Sequence, residues 1–203
     1  MERKLAIFLS YLFHPLWMPF YMVLLLFWMN LQGAVITSIQ AWMYIALVVI
    51  INTLLLPVLL IYLLKRMKII QSMSLENKQD RLFPFFIAGL FYFTTWFVFN
   101  SLNIFPFLEM VFIISTTLVL LAAIINMVWK ISIHNMSMGA VSVAVLFLTA
   151  SHYILSPWPV YFAFILAGLV GFARLKLKSH TPAQIYSGFL LGALVVVFFV
   201  FIG

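Results

Sequence analysis

The sequence predicts an all-α membrane protein, a polytopic helical bundle with about seven spans in a single integral membrane domain of residues 1–203. Of the 203 residues, 67% are hydrophobic and only 7% are charged, whereas an ordinary soluble domain is ~25% charged. Several apolar runs also reach the ~20 residues that a helix needs to cross a bilayer. Helices are expected rather than barrel strands, because polar and apolar residues do not alternate along these runs.

The first apolar run follows the charged residues 2–4 and continues to Met29. It is too long for the apolar part of a signal peptide, so we predict a retained anchor. His14-Pro15 and Pro19 are expected to kink or break the run. The alternative to seven spans is therefore six spans plus an N-terminal kinked or interfacial helix.

The remaining spans are separated by short polar segments or by turns that contain proline. Residues 65–84 form the longest polar segment, and residues 131–137 are expected to link the fourth span to the fifth. The spans after the first are predicted at 41–64, 85–99, 107–129, 138–155, 160–173 and 183–202.

The basic residues are distributed asymmetrically. The predicted spans place all eleven lysines and arginines on the side of the membrane that holds the N-terminus. The positive-inside rule makes that side cytoplasmic, puts the C-terminus outside and indicates a multi-pass protein of the plasma (inner) membrane. The net charge of +7 indicates contact with anionic headgroups or phosphates. Nucleic acid is not expected as a partner, because no soluble domain carries a binding face.

The stretch from Arg174 to Gly192 carries the densest chemistry. Arg174 and His180 are six residues apart, and Thr181-Pro182 predicts a helix start with a threonine cap and a proline at the first helical position. A cation and an imidazole then lie at the positive end of a helix, where an anion is stabilised. The structural alternative is a basic membrane anchor followed by a glycine packing face. Three residues of one helix face follow at four-residue steps: Gln184, Gly188 and Gly192.

Three polar clusters share the predicted cytoplasmic face. If the helices bundle, these clusters converge into a basic pocket with two histidines, which suits a phosphate. The clusters are residues 76–81, Ser132 with His134, and Arg174 with His180 and Gln184.

The third cluster resembles a motif of the type-2 phosphatidic acid phosphatase superfamily, which also contains the vanadium haloperoxidases. The family motif is S-R-x5-H-x3-D, and this chain has Ala173-Arg174, five residues, His180, three residues and Gln184. The glycines that follow are also similar to the family's helix. The resemblance extends over roughly residues 65–192.

The other two family motifs are matched more loosely. The family's P-S-G-H is similar to Ile131-Ser132-Ile133-His134. Its K-x6-R-P is matched at Arg81, with Lys78 as a substitute lysine out of register. The lysine and proline positions themselves hold Ser74 and Leu82.

The resemblance implies a metal-independent and cofactor-free phosphatase of lipid phosphates or isoprenoid pyrophosphates, with a polyprenyl pyrophosphate as one expected substrate. His180 would attack phosphorus and form a phosphohistidine, and His134 would protonate the leaving oxygen. The substrate's tail would lie between helices, with its headgroup at the membrane interface. Four residues are expected to bind phosphate oxygens: Arg174, Arg81, Lys78 and Ser132.

Gln184 departs from the family, which has a histidine-orienting aspartate at this position. A glutamine oxygen accepts the same hydrogen bond but brings no negative charge, and the comparable change in a serine-protease triad costs ~10⁴ in rate. Asp80 or Glu76 is a candidate substitute for that charge. The alternative function is a catalytically impaired relative that serves as a lipid-binding or structural membrane protein.

A small transporter is disfavoured, because transporters place ionisable groups at mid-membrane and here they cluster at one edge. Structural roles rather than functional ones are expected for the other polar residues. His14 is expected to be a hydrogen-bonded helix residue, and His152 and Glu109 join no cluster. Asn52 and Asn126 lie inside spans, where amides tie helices together.

Overall fold

A computed structural model describes residues 2–28, 38–70 and 81–202, and these residues form helices and no strand. The α-helices are α1 (Glu2–Leu12), α2 (Met18–Trp28), α3 (Ile39–Ile50), α4 (Leu56–Arg66), α5 (Leu82–Ser101), α6 (Pro106–Val128), α7 (Ile133–Ala150), α8 (Trp158–Lys176) and α9 (Pro182–Ile202). The predicted all-α fold class is confirmed.

Seven helical segments of the described ranges are long and apolar enough to cross a membrane, which confirms the multi-pass prediction. Their bounds follow the predicted ones closely, except for the fifth. It begins at Ile133 rather than at residue 138, so His134 lies within the helix and not in a link between helices. The seven segments are Glu2–Trp28, Ile39–Arg66, Leu82–Ser101, Pro106–Val128, Ile133–Ala150, Trp158–Lys176 and Pro182–Ile202.

The chain divides into two compact units. The first comprises Met1–Met18 and Lys130–Gly203, and the second comprises Pro19–Trp129. In the first unit, α7 packs against α8 and α9, and α1 packs against α8. In the second unit, α5 packs against α6 and α4. The single membrane domain over residues 1–203 stays a prediction.

The first predicted span is interrupted where the sequence contains His14-Pro15. The helix α1 ends at Leu12, and a 3₁₀ turn covers Pro15–Trp17 before α2 begins. His14 has extended backbone (ψ 139°), and its Nδ1 accepts a hydrogen bond from the Leu16 N–H at 3.3 Å. The proline explains the interruption, because its ring disfavours helical backbone at the residue before it.

The second span contains a π-helix at Ile51–Leu55, immediately before Pro57. The Leu56 N–H donates to the carbonyl of Ile51, five residues earlier. Pro57 has no N–H with which to continue the α-helical bonding, and its ring crowds the preceding turn. The wider π turn accommodates the missing N–H and the bulk of the proline ring, so the helix continues through the span.

Several helices end in the same way, with a non-glycine residue in the left-handed region at the position after the C-cap. At the end of α8, Lys178 has φ 52°, its N–H donates to the Leu175 carbonyl, and the Ser179 N–H donates to the Arg174 carbonyl. These two bonds form a Schellman motif. The equivalent residues of α4, α5 and α7 are Lys68, Asn103 and His152.

Large apolar side chains cover much of the exposed surface of the described residues, including Phe201, Val128 and Phe162. Small polar side chains such as Thr53 and Ser142 are fully buried. A water-soluble protein rarely exposes so many large apolar groups together. The arrangement fits helices that present their apolar faces to lipid.

The helices α7 and α9 approach each other at glycines. A Cβ at Gly188 would lie 2.6 Å from the carbonyl oxygen of Ser132. A Cβ at Gly192 would collide with the Met136 carbonyl, and one at Gly139 with the Phe189 carbonyl. Small residues permit such close backbone contact in membranes, so the glycine face predicted on α9 is a packing face.

We expect Gly192→Ala to lower the thermal stability of the protein in detergent, because the new methyl meets the backbone of α7. Overpacking of this kind costs about 1–3 kcal/mol. Gly168→Ala in α8 is the matched control, since nothing lies within 4 Å of its added Cβ. Alanine favours a helix over glycine by ~1 kcal/mol, so this control should melt at or above the wild-type temperature. A Gly192→Ala protein that melts as high as the control would contradict the packing described here.

Candidate functional site

The turn between α8 and α9 sets the spacing of Arg174 and His180. Arg174 lies in the last turn of α8, and its carbonyl closes the Schellman motif by accepting the Ser179 N–H at 3.1 Å. His180 comes next, directly before Thr181 and the first residue of α9. The left-handed Lys178 ends α8, and Thr181 caps the start of α9. Arg174 and His180 are therefore joined by a short connection of fixed conformation.

The start of α9 is a capping box formed by Thr181 and Gln184. The Gln184 N–H donates to Thr181 Oγ1 at 3.4 Å, and the Thr181 N–H donates to Gln184 Oε1 at 3.1 Å. This reciprocal pair is the arrangement expected for a threonine followed three residues later by glutamine. It fixes the side chain of Gln184 at the edge of the helix.

The same glutamine oxygen contacts His180, with 3.1 Å between its Oε1 and Nδ1 of the imidazole. The oxygen assignment follows from Thr181, whose backbone N–H requires an acceptor at that point. An amide oxygen only accepts, so Nδ1 of His180 must carry a proton. In the neutral ring, Nε2 then holds the free electron pair that a nucleophile needs. His180 is 7% exposed.

The start of α7 packs against the start of α9. Ser132 caps α7, because its Oγ accepts the Asn135 N–H at 3.5 Å and lies 3.2 Å from Asn135 Oδ1, to which it donates. The Ser132 N–H donates to the Gln184 carbonyl at 3.2 Å, which ties the two helix starts together. The Ser132 side chain is completely buried. Its hydroxyl is used by the cap, and its role as a phosphate ligand stays a prediction.

His134 lies in the first turn of α7 and is 6% exposed. Its Nε2 lies 3.2 Å from the backbone oxygen of Ser10 in α1. Because a carbonyl only accepts, Nε2 carries the proton and donates. Nδ1 has no hydrogen-bond partner among the described residues.

A second imidazole lies against His134. The ring centroids of His14 and His134 are 5.2 Å apart, and the ring planes are nearly perpendicular at 86°. His14 therefore belongs to the site's surroundings. It is hydrogen-bonded, as predicted, but it lies between α1 and the 3₁₀ turn rather than within a helix. Edge-to-face contact of this kind is a favoured arrangement of aromatic rings.

Arg174 lacks an internal counter-ion in the first unit. The sequence of this unit contains one acidic residue, Glu2, and that carboxylate pairs with Lys176. Nε of Arg174 is buried and has no hydrogen-bond partner among residues 2–28, 38–70 and 81–202. A guanidinium in this position has unused donors for an anion.

The basic groups of the cluster interact electrostatically. The Arg174 guanidinium lies near enough to act on a charge at His134, and so do the rings of His14 and His180 when they are protonated. Like charges held together away from water are unfavourable, and an anion between them offsets the repulsion. We call these four residues, Arg174, His14, His134 and His180, the basic cluster; its composition suits a phosphate group.

The remaining predicted site residues belong elsewhere in the chain. Arg81 immediately precedes α5 in the second unit and is buried, with 6% exposure. Lys78 lies outside the described residues, as do Glu76 and Asp80. Arg81 and Lys78 as phosphate ligands stay predictions. Within the described ranges, no group of three His, Asp or Glu side chains is arranged to bind a metal ion.

Three further residues contribute to the site and are not among those predicted from the sequence: Ser10, His14 and Asn135. Ser10 acts through its backbone oxygen, which carries no side-chain signal. One feature of the sequence indicates the position of His14: it precedes a proline that ends a helix, so its side chain can cap the next turn. Asn135 was hidden by the placement of residues 131–137 in a link rather than at a helix start.

Comparisons of this chain with protein-family models, with curated proteins and with solved structures found no match. The resemblance to the type-2 phosphatidic acid phosphatases stays a prediction that rests on the motif residues quoted above.

We expect Gln184→Ala to destabilise the protein by about 1 kcal/mol, because it removes the side-chain half of the capping box. Gln184→Glu should retain most of the wild-type stability, since a carboxylate accepts both hydrogen bonds at the positive end of α9. Ser187→Ala is the control, because its hydroxyl donates to the Ala183 carbonyl within the same helix and takes no part in the cap. Thermal unfolding in detergent would measure all three, and equal melting of Gln184→Ala and wild type would count against the cap.

Proposed function

We propose that this chain is a membrane-embedded, metal-independent phosphatase of lipid phosphates or isoprenoid pyrophosphates. The observation that carries the proposal is the contact between His180 Nδ1 and Gln184 Oε1. It fixes the proton on Nδ1, so the lone pair of Nε2 in the neutral ring carries no proton. Arg174 supplies positive charge nearby, and the one acidic residue in the sequence of its unit, Glu2, pairs with Lys176.

In the first step, Nε2 of His180 attacks phosphorus, and the bond to the leaving oxygen breaks as the N–P bond forms. Protonated His134 gives its proton to that oxygen. The leaving group is the lipid alcohol when the substrate is a lipid phosphate, and the polyprenyl monophosphate when it is a polyprenyl pyrophosphate. Positive charge develops on the His180 ring, and the Gln184 oxygen stabilises it through the Nδ1–H bond. Arg174 neutralises charge on the phosphoryl oxygens.

In the second step, water attacks the phosphohistidine. His134 is now neutral and accepts a proton from the water, while the N–P bond breaks and its electrons return to Nε2 of His180. Inorganic phosphate leaves, and both histidines regain their starting protonation states. The imidazole nucleophile and the arginine charge together perform this reaction without a bound metal ion.

The second candidate function is a catalytically impaired relative that binds lipid phosphates. One observation favours it: the oxygen of Gln184 is shared between His180 and the Thr181 N–H, and it carries no net charge. A helix cap alone explains the glutamine. Such a protein would bind phosphate through Arg174 and the histidines and would turn over slowly or not at all.

Phosphate release separates the two candidates. The purified chain in mixed micelles is given dioleoyl phosphatidic acid and a polyprenyl pyrophosphate, and inorganic phosphate is measured. We expect release from at least one substrate and a loss of more than 10³-fold in His180→Ala, because the nucleophile is gone. His152→Asn is the control, since His152 is exposed and asparagine tolerates its φ of 60°. A folded wild-type protein that releases no phosphate favours the impaired relative.

We further expect Gln184→Asp to raise the rate of phosphate release from the same substrates. The added negative charge stabilises the His180 imidazolium, provided that the shorter side chain reaches Nδ1. Gln184→Asn has the same length without the charge and is the matched control. Equal rates in both variants would show that charge at this position does not limit the reaction.

We propose that the N-terminus and the basic cluster face the cytoplasm of the plasma (inner) membrane and that the C-terminus faces outward. The distribution of all eleven basic residues supports this orientation. An epitope tag after Gly203 should be cleaved when protease is added outside intact cells or spheroplasts. A tag that is digested only after the membrane is opened would reverse the assignment.

A further inference from the structure

We infer that the segment from Ser10 to His14 is part of the phosphate site, and that His14 is a positioning residue for His134. The Ser10 carbonyl and the His14 ring hold His134 in the tautomer with a proton on Nε2, so that Nδ1 is the nitrogen that exchanges protons with the substrate. The catalytic consequence rests on the proposed function, whereas the tautomer is measurable without any activity.

A backbone acceptor determines which nitrogen of His134 carries the proton. Its Nε2 lies 3.2 Å from the Ser10 oxygen, and this acceptor is a backbone atom that no side-chain rotation can remove. A neutral imidazole has one N–H, so a ring that donates through Nε2 has a bare Nδ1. That nitrogen has no hydrogen-bond partner within the described part of the chain, although the residue is almost completely buried.

The ring of His14 is held in a fixed orientation beside His134. Its Nδ1 accepts the Leu16 N–H at 3.3 Å, which fixes the ring's rotation and requires that Nδ1 carries no proton. The fixed ring lies against His134 at 5.2 Å and 86°. His134 is thus constrained on two sides by the same short segment, at one nitrogen by Ser10 and at the ring by His14.

The segment that carries Ser10 and His14 is attached to the helix that carries Arg174. The helix α1 packs against α8, the helix that carries Arg174, and Glu2 at its start pairs with Lys176. The break before Pro15 then presents His14. The N-terminal helix therefore holds Ser10 and His14 in place from the same unit that contains the basic cluster.

The chemical consequence is that one nitrogen performs both proton transfers. In the imidazolium, Nε2–H remains bonded to Ser10 while Nδ1–H gives its proton to the leaving oxygen. In the neutral ring, Nδ1 accepts the proton of the attacking water. His14 takes part in neither transfer, because protonating its Nδ1 would break the bond from the Leu16 N–H.

The test combines histidine ¹⁵N NMR with matched variants of the full chain in lipid nanodiscs. The chain has four histidines, so the ring-labelled spectrum has four ring systems, and His134→Gln identifies the signals of His134. In spectra recorded at a pH high enough for His134 to be neutral, we expect its ring to be protonated at Nε2 and bare at Nδ1. A neutral wild-type His134 that is protonated at Nδ1 and bare at Nε2 would overturn the inference.

Two substitutions separate the ring of His14 from its cap. His14→Asn retains an acceptor for the Leu16 N–H but removes the ring, and His14→Phe retains a ring but removes the acceptor. We expect His14→Asn to give a mixture of His134 tautomers and about tenfold slower phosphate release, part of the 10²–10⁴ that general acid–base catalysis contributes. His14→Phe should remain closer to wild type in both measurements, and His152→Asn should match wild type.

A His14→Asn protein with the wild-type His134 spectrum and rate would overturn the positioning role. The two proposals also fail separately. If the wild-type chain releases no phosphate, the phosphatase proposal fails, and the tautomer spectra of wild type and His14→Asn still decide the structural inference.

Discussion

The site depends on the close contact between the first turns of α7 and α9. The Ser132 N–H donates to the Gln184 carbonyl, and Gly188 lets the backbone of α9 approach the Ser132 carbonyl. These are backbone contacts, and the two helices approach this closely because glycine has no side chain to keep them apart. Both histidines of the proposed reaction lie at this contact, His134 in the first turn of α7 and His180 next to Thr181, the residue that caps α9.

Gln184 combines two functions at this junction. Its side-chain oxygen completes the cap of α9 and also contacts His180 Nδ1, while its backbone oxygen accepts from Ser132. A carboxylate at this position would stabilise an imidazolium more strongly. The glutamine orients the His180 ring but supplies no negative charge to stabilise its imidazolium.

Most of the fold, but less of the site, was predictable from the sequence. Apolar run length and the scarcity of charge predicted the helical spans, and Thr181-Pro182 predicted the start of α9. The start of α7 was placed five residues late, because Ser132 and His134 read as polar link residues although they cap and begin a helix. The contact of His134 with Ser10 joins residues 124 positions apart through a backbone atom, and no local pattern encodes it.

That long separation bears on how the protein is made. The N-terminal helix is synthesised and inserted well before α7 emerges, so Ser10 and His14 meet His134 only after most of the chain is in the membrane. Each helix satisfies its own backbone during this interval, as the bilayer requires. The contact of His134 with Ser10 and His14 therefore forms late, and a chain that stalls before α7 would have its earlier helices but not this arrangement of histidines.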